Sequence, residues 1–274
     1  MSLGVVVKGP EGVVLAADTR VTLLAQKQNG NPPLVVNFDN ATKLLTFGKC
    51  HDWVGAVTYG DAVIGTRTAH SFIPEFQLRL GNERRSILGY ARELSQFFQE
   101  LWTNSGMPLE VAPGGGMSFV VGGYDTNQPY GAVYTFNIPD SPKPEEQNTN
   151  QFGMTWGGQL EIASRIVVGY DPRLIATLQD RFNLSDSEIR SLEDDLGQSF
   201  GYSIPYEILP LQDCVDLATF LIRTTISAQN LAVGVRGVGG TIEVATITRT
   251  DGLEWIQKKE LHGEDHHGRH NRDS

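Results

Sequence analysis

Ser2 is the residue with the plainest chemical potential in this 274-residue chain. Methionine aminopeptidase removes Met1 when the next residue is small, so a mature chain beginning at Ser2 is expected. A serine in first place carries a hydroxyl nucleophile and a free α-amine on one residue. That amine titrates near ~8 when unperturbed, so it can serve as the base for its own hydroxyl. The other reactive types say less. Cys50 and Cys214 lie far apart, with no metal spacing or disulfide framework, and are expected as buried free thiols. His262, His266, His267 and His270 crowd the last residues, where a solvated tail is expected ahead of a metal site. Gly114-Gly115-Gly116 is followed neither by Lys-Ser/Thr nor by a helical pattern, so it does not read as a phosphate loop.

Composition narrows the function classes. A length of 274 residues and a hydrophobic content of 40% suit one globular domain of generous size, or two small ones. A formal charge of −10 argues against a nucleic-acid binder, since phosphate contact needs a basic face. The apolar runs fall far short of a membrane span. Lys8, Glu11 and Asp18 interrupt the N-terminal apolar stretch, unlike a signal peptide. A cytoplasmic protein without membrane association is the expectation.

The elements that must position Ser2 follow from periodicity. Gly4–Lys8 and Val13–Ala17 flank Gly9-Pro10-Glu11-Gly12, a turn between two β-branched runs. Leu34–Phe38 and Lys43–Phe47 read as strands around an Asp39-Asn40 turn, and Trp53–Tyr59 as another. A helix is expected from Asp61 to Leu80, kinked or ended by Pro74. A cleaner one spans Arg85 to Trp102, with Ile87, Tyr90, Ala91, Leu94, Phe97, Phe98 and Leu101 on one stripe. Met117–Gly122 and Gly131–Asn137 read as strands, and Ile138–Gln151 as an exposed loop. Helical segments follow from Leu160 to Phe182, broken near Pro172. Asp186–Leu196 follows a Ser185/Glu188 capping box, and a further helix runs from Leu211 to Asn230. Thr241–Arg249 and Leu253–Gln257 bracket the Asp251-Gly252 hairpin turn. Strands, helices, strands, helices, strands is an α+β order, suited to two mainly antiparallel sheets between helical layers. One domain over residues 2–257 is expected, followed by a disordered, charged, histidine-containing tail over residues 258–274.

Gly12-Val13-Val14-Leu15-Ala16-Ala17-Asp18-Thr19-Arg20-Val21-Thr22 resembles the first hairpin of proteasome β-type subunits, which are N-terminal nucleophile hydrolases. Asp18 follows Ser2 by 16 residues, the family's spacing from nucleophile to acid. Thr42-Lys43-Leu44-Leu45 fits the family's lysine strand, with Gly60-Asp61-Ala62 at the usual distance beyond it. The longer Ser2-to-Lys43 stretch is taken up around Gly30–Asp39, whose Gly-Asn-Pro-Pro segment reads as an inserted loop. Residues 239–252 resemble the family's final hairpin. The likeness covers about residues 2–256 and is specific at both ends and loose in the middle. It looks closest to bacterial-type homologues without a long propeptide.

The resemblance implies a four-layer α-β-β-α sandwich and a catalytic set of Ser2, Asp18 and Lys43. Ser2 Oγ would attack a peptide carbonyl while its own α-amine takes the proton. Lys43 would lower the pKa of that amine, and Asp18 would hold Lys43. The oxyanion donor falls on the backbone N–H of Val57. Substrate-pocket positions fall on Val21, Ala41, Leu45, Gly55 and Tyr59, which implies an open, apolar pocket and cleavage after large apolar residues. Several positions depart from the pattern. The nucleophile is serine where threonine is usual. A supporting serine lands on Gly157, and an acid and a serine ahead of the last Gly-Gly land on Val235 and Val238. Thr155 or Ser227 could compensate. The implied function is a self-compartmentalising threonine-type peptidase, acting on peptides or unfolded protein within a homo-oligomeric ring or related assembly. It needs no cofactor or metal, and the sequence specifies no ATPase partner. A catalytically inactive scaffold subunit and a small-molecule amidase of the same fold stay open.

Overall fold

Val5-Val6-Val7 and Val13-Val14-Leu15 are apolar without alternation, and strands of that kind need cover on both faces. The fold supplies it. The computed structural model describes residues 2–25, 34–112 and 114–261. In chain order it contains β1 (Leu3–Lys8), β2 (Val13–Asp18), β3 (Val21–Ala25), β4 (Leu34–Phe38), β5 (Leu44–Thr46), β6 (Val54–Gly60), β7 (Val63–Ile64) and β8 (Arg67–Thr68). Next come α1 (Ile73–Leu80), α2 (Ile87–Asn104), β9 (Met117–Gly123), β10 (Ala132–Ile138), β11 (Ser141–Gln147) and β12 (Gly153–Gly158). The chain continues through α3 (Glu161–Val167), α4 (Pro172–Phe182), α5 (Asp186–Phe200), α6 (Leu211–Leu231), β13 (Ile242–Thr248) and β14 (Gly252–Gln257).

Two five-stranded sheets carry the architecture, ordered β12-β1-β2-β13-β14 and β11-β10-β9-β6-β5. Every ladder in them is antiparallel. Side chains alternate between faces with period two, so an inner strand serves two cores. Val6, Val13, Leu15 and Ala245 meet Leu44, Val57 and Val120 between the sheets. Leu3, Val5, Val14 and Val244 pack outward against Cys214, Ala218, Leu221 and Ile222 of α6. On the far side Leu45, Phe119, Val121 and Phe136 pack against Phe76 of α1 and Tyr90, Leu94 and Phe98 of α2. The layers are therefore helix, sheet, sheet, helix, as expected. Among the described residues no helix is long and apolar enough to cross a membrane.

Several local expectations are corrected. No helix begins at Asp61. Val63-Ile64 and Arg67-Thr68 form a small hairpin, turned by Gly65 at φ 59°. Pro74 sits in the first turn of α1, where its missing N–H costs nothing, so it opens this helix instead of ending it. The 34–38 strand does not pair with the 43–47 segment: β4 pairs with β3, and β5 with β6. The segment expected as a loop after Ile138 contains β11. Its Pro142 and Pro144 are tolerated because β11 is an edge strand, bonded on one side to β10. Cys214 is buried, but Cys50 is exposed in a short 3-10 turn, so only one of the two thiols is a core residue. The Gly30-Asn31-Pro32-Pro33 loop and the tail histidines lie outside the described residues.

Candidate functional site

The site forms where strands from the two sheets end together. Gly4 pairs with Ala17, which sets Leu3 beside Asp18 at the end of β2. Asp18 is fully buried and accepts four hydrogen bonds. Its Oδ1 takes the Leu3 amide at 3.0 Å and the Lys43 ammonium at 2.7 Å. Its Oδ2 takes the amides of Arg20 at 3.1 Å and Gly239 at 3.0 Å. The carboxylate is thus the knot that ties β1, the turn after β2, the turn before β13 and the lysine together. Lys43 comes from the other sheet. It sits just ahead of β5, and its carbonyl continues that ladder by accepting the Thr58 amide at 3.0 Å. The Asp18–Lys43 ion pair therefore bridges the sheets at the mouth of the sandwich. Burial holds the Lys43 ammonium below its ordinary pKa, and Asp18 opposes that shift.

Ser2 is buried beside this knot. Its carbonyl accepts the Gln159 amide at 2.7 Å, immediately past the edge strand β12. Ser2 and Lys43 together line one shallow cleft. The structure thus gathers all three residues of the expected catalytic set: Ser2 and Lys43 facing one cleft, Asp18 directly behind the lysine. Hydroxyl, ammonium and buried carboxylate are the parts needed for amine-assisted nucleophilic attack on a carbonyl. Among the described residues no group of three or more His, Cys, Asp and Glu is arranged to hold a metal ion.

The expected pocket positions divide. Val21, Ala41 and Tyr59 line the cleft. Leu45 does not, because it points into the helix-side core with Phe47 and Phe76. Gly55 does not either, because it faces Leu15 and Leu253 between the sheets, where its missing Cβ lets them approach. Val57 is likewise away from the cleft, with its side chain between the sheets. Its amide is misplaced for an oxyanion. Successive amides of an antiparallel strand point to opposite neighbours. The Thr58 amide faces Lys43, so that of Val57 turns toward its other partner, Val120. The cleft walls are instead small or polar, with Thr42, Thr58, Asp61, Ala62 and Ala69 among them.

The departures from the family pattern have structural counterparts. Gly157 leaves space that the Tyr59 ring fills: a Cβ there would clash with the hydroxyl end of the ring. Val235 is half exposed, and Val238 is buried in the α6-side core. Neither expected substitute reaches the site. Thr155 stands opposite Val6, further along β12, and Ser227 is exposed on α6. Two glutamines occupy the region instead. The Val238 amide donates to Gln229 Oε1 at 2.9 Å, and Gln229 Nε2 donates to Gln159 Oε1. Neither carries a local sequence signal, because glutamine on a helix or after a strand reads as an ordinary surface residue. Arg20 was visible only as part of the hairpin motif. In the structure it grips Asp39 with two bonds of 2.5 and 2.8 Å, and Gly239 gives its guanidinium room.

No protein-family model and no curated protein matches this chain. Solved structures do. An Anbu mutant from Hyphomicrobium sp. strain MC1 is similar over 97% of this chain and 89% of its own, with a TM-score of 0.54 and 14% identity. The helical assembly of the Anbu complex from Pseudomonas aeruginosa is similar over 94% of this chain and 88% of its own, with a TM-score of 0.56 and 15% identity. These findings correct the resemblance to proteasome β-type subunits. The similar structures are of Anbu, and no family model or curated protein supports a proteasome β-type assignment. At such identities it is the fold that is shared, and the fold of this chain is that of the N-terminal nucleophile hydrolases.

Proposed function

We propose that this protein is an N-terminal serine hydrolase that cleaves peptide bonds, with Ser2 as nucleophile once its α-amine is freed. The observation that carries this reading is the buried Asp18–Lys43 pair at 2.7 Å, opening on the cleft that Ser2 also lines. Ser2 Oγ adds to the substrate carbonyl and its proton passes to the Ser2 α-amine, directly or through a water. The ammonium so formed gives a proton to the departing amine, leaving an acyl ester on Ser2. Water then adds to that ester, the amine again taking the proton, and the acid and free Ser2 are released. Lys43 favours the neutral amine by its positive charge, and Asp18 keeps Lys43 charged and in place. The work is assigned to a single domain over residues 2–257, in the cytoplasm.

The test is intact mass spectrometry before and after excess epoxyketone peptide, a reagent that needs both hydroxyl and α-amine. One adduct on a chain that starts at Ser2, lost in Ser2→Ala, is the expected result. A chain with a free Ser2 amine and no adduct would refute it. That outcome would favour a second reading, a scaffold without activity, which Gly157, Val235 and Val238 motivate. A small-molecule amidase would take the adduct but leave peptides intact.

Assembly belongs to the same proposal. The similar Pseudomonas aeruginosa structure is a helical assembly. This chain exposes Leu231, Val233 and Val235 at and just past the end of α6, an apolar run that a free surface does not favour. A homo-oligomer is the reading that accounts for both.

A further inference from the structure

Three charged side chains line the cleft at Ser2, and two of them are already paired. Lys43 is bound to Asp18, and Arg20 is held by Asp39. Asp61 has no ion-pair partner among the described residues. It is exposed in the cleft but its backbone is anchored: Gly60 takes φ 92° against Gly116, and the Asp61 amide donates to the Gly116 carbonyl at 2.8 Å. The carboxyl is thus presented from a fixed point at the end of β6. Partial loss of hydration holds its pKa above the ordinary carboxylate range, against the hydrogen bond from the Gly116 backbone. Around it the walls are small, with Ala41, Ala62 and Ala69 interleaved with Thr42, Thr58 and Thr68. A long aliphatic stem can lie along such walls while its charged head reaches an acid.

We propose that Asp61 is a specificity-determining residue that selects substrates with a cationic side chain, Lys or Arg, on the acyl side of the amide cleaved at Ser2. This rests on the hydrolase reading above. The experiment uses the full chain and fluorogenic peptides that differ only in the residue before the scissile bond: Lys, Arg, Leu or Glu. Lys and Arg substrates should exceed Leu in kcat/KM by about tenfold, with Glu lowest. Asp61→Asn should collapse the Lys-to-Leu ratio, and Asp61→Lys should invert it toward Glu. A ratio on one preparation does not depend on how much of a variant has folded. Epoxyketones bearing Lys or Leu next to the warhead give the same ratio, as rates of adduct formation on Ser2. Equal rates for Lys and Leu, or a ratio unmoved in Asp61→Asn, would overturn the selectivity alone. The absence of both cleavage and adduct would overturn the hydrolase reading and this one with it.

Discussion

Asp18 makes the Ser2 region a single unit, since one carboxylate accepts from one strand amide, two turn amides and a lysine from the opposite sheet. Removing its cation should be costly in stability as well as activity. Lys43→Met leaves a fully buried carboxylate with backbone donors only, and a loss of about 3–5 kcal/mol is expected by chemical denaturation. In a double-mutant cycle, adding Asp18→Asn should recover part of that loss, because the unpaired charge goes with it. Glu243 poses the opposite problem. It is 1% exposed, and its oxygens lie near the Lys259 and Lys43 backbone amides without forming a well-aligned hydrogen bond. Burial pushes its pKa above 4.5, against the charges of Lys259 and Lys258. A raised carboxylate contributes stability that is full below its unfolded pKa and is lost as pH rises through the folded value. Wild-type stability relative to Glu243→Gln should therefore fall as pH rises above about 4.5, with a slope of at most about 1.4 kcal/mol per pH unit. Thermal melts of the pair across pH 4–8 check this, and parallel curves would refute it.

At the scale of elements, the edge strand β12 and the end of β6 meet through Gly157 and Tyr59. The ring fills the volume that a serine side chain would need. Gly157→Ser is expected to destabilise by about 1–3 kcal/mol through overpacking, with recovery when Tyr59→Ala is added. Loss without recovery in the double variant would mean that the glycine serves another purpose. Helix α2 offers a simpler check. Ser86 accepts the Gly89 amide at 3.0 Å as its N-cap, so Ser86→Ala should cost about 1 kcal/mol in a melt. The segment just past β14 also acts on the site. Lys259 donates to the Asn40 carbonyl and to Thr42 Oγ1, both at 2.7 Å, and so braces the cleft wall that carries Ala41 and Thr42.

At the scale of the whole molecule, the sandwich leaves its catalytic candidates at one open end and an apolar run past α6 uncovered. Sedimentation velocity at micromolar concentration should show a species of many copies. Leu231→Ser with Val233→Ser should shift it toward monomer, and a monomeric wild-type chain would end the assembly proposal.

Much of this organisation was legible in the residues. The α2 stripe, the unbroken apolar runs of β1 and β2 and the Asp251-Gly252 hairpin each follow from local period and turn chemistry, which act within a few residues. The spacing from Ser2 to Asp18 also suffices to bring them together, because a hairpin of fixed register separates them. What only the tertiary structure decided is contact between distant strands. Whether Leu45, Gly55 and Val57 face a cleft, a helix or the other sheet depends on pairing partners and on which face each core claims. The Gln159–Gln229 contact likewise joins residues 70 apart in sequence. Side-chain chemistry and short-range geometry are written along the chain, whereas the lining of a cleft is set by how whole layers stack, which no local pattern encodes.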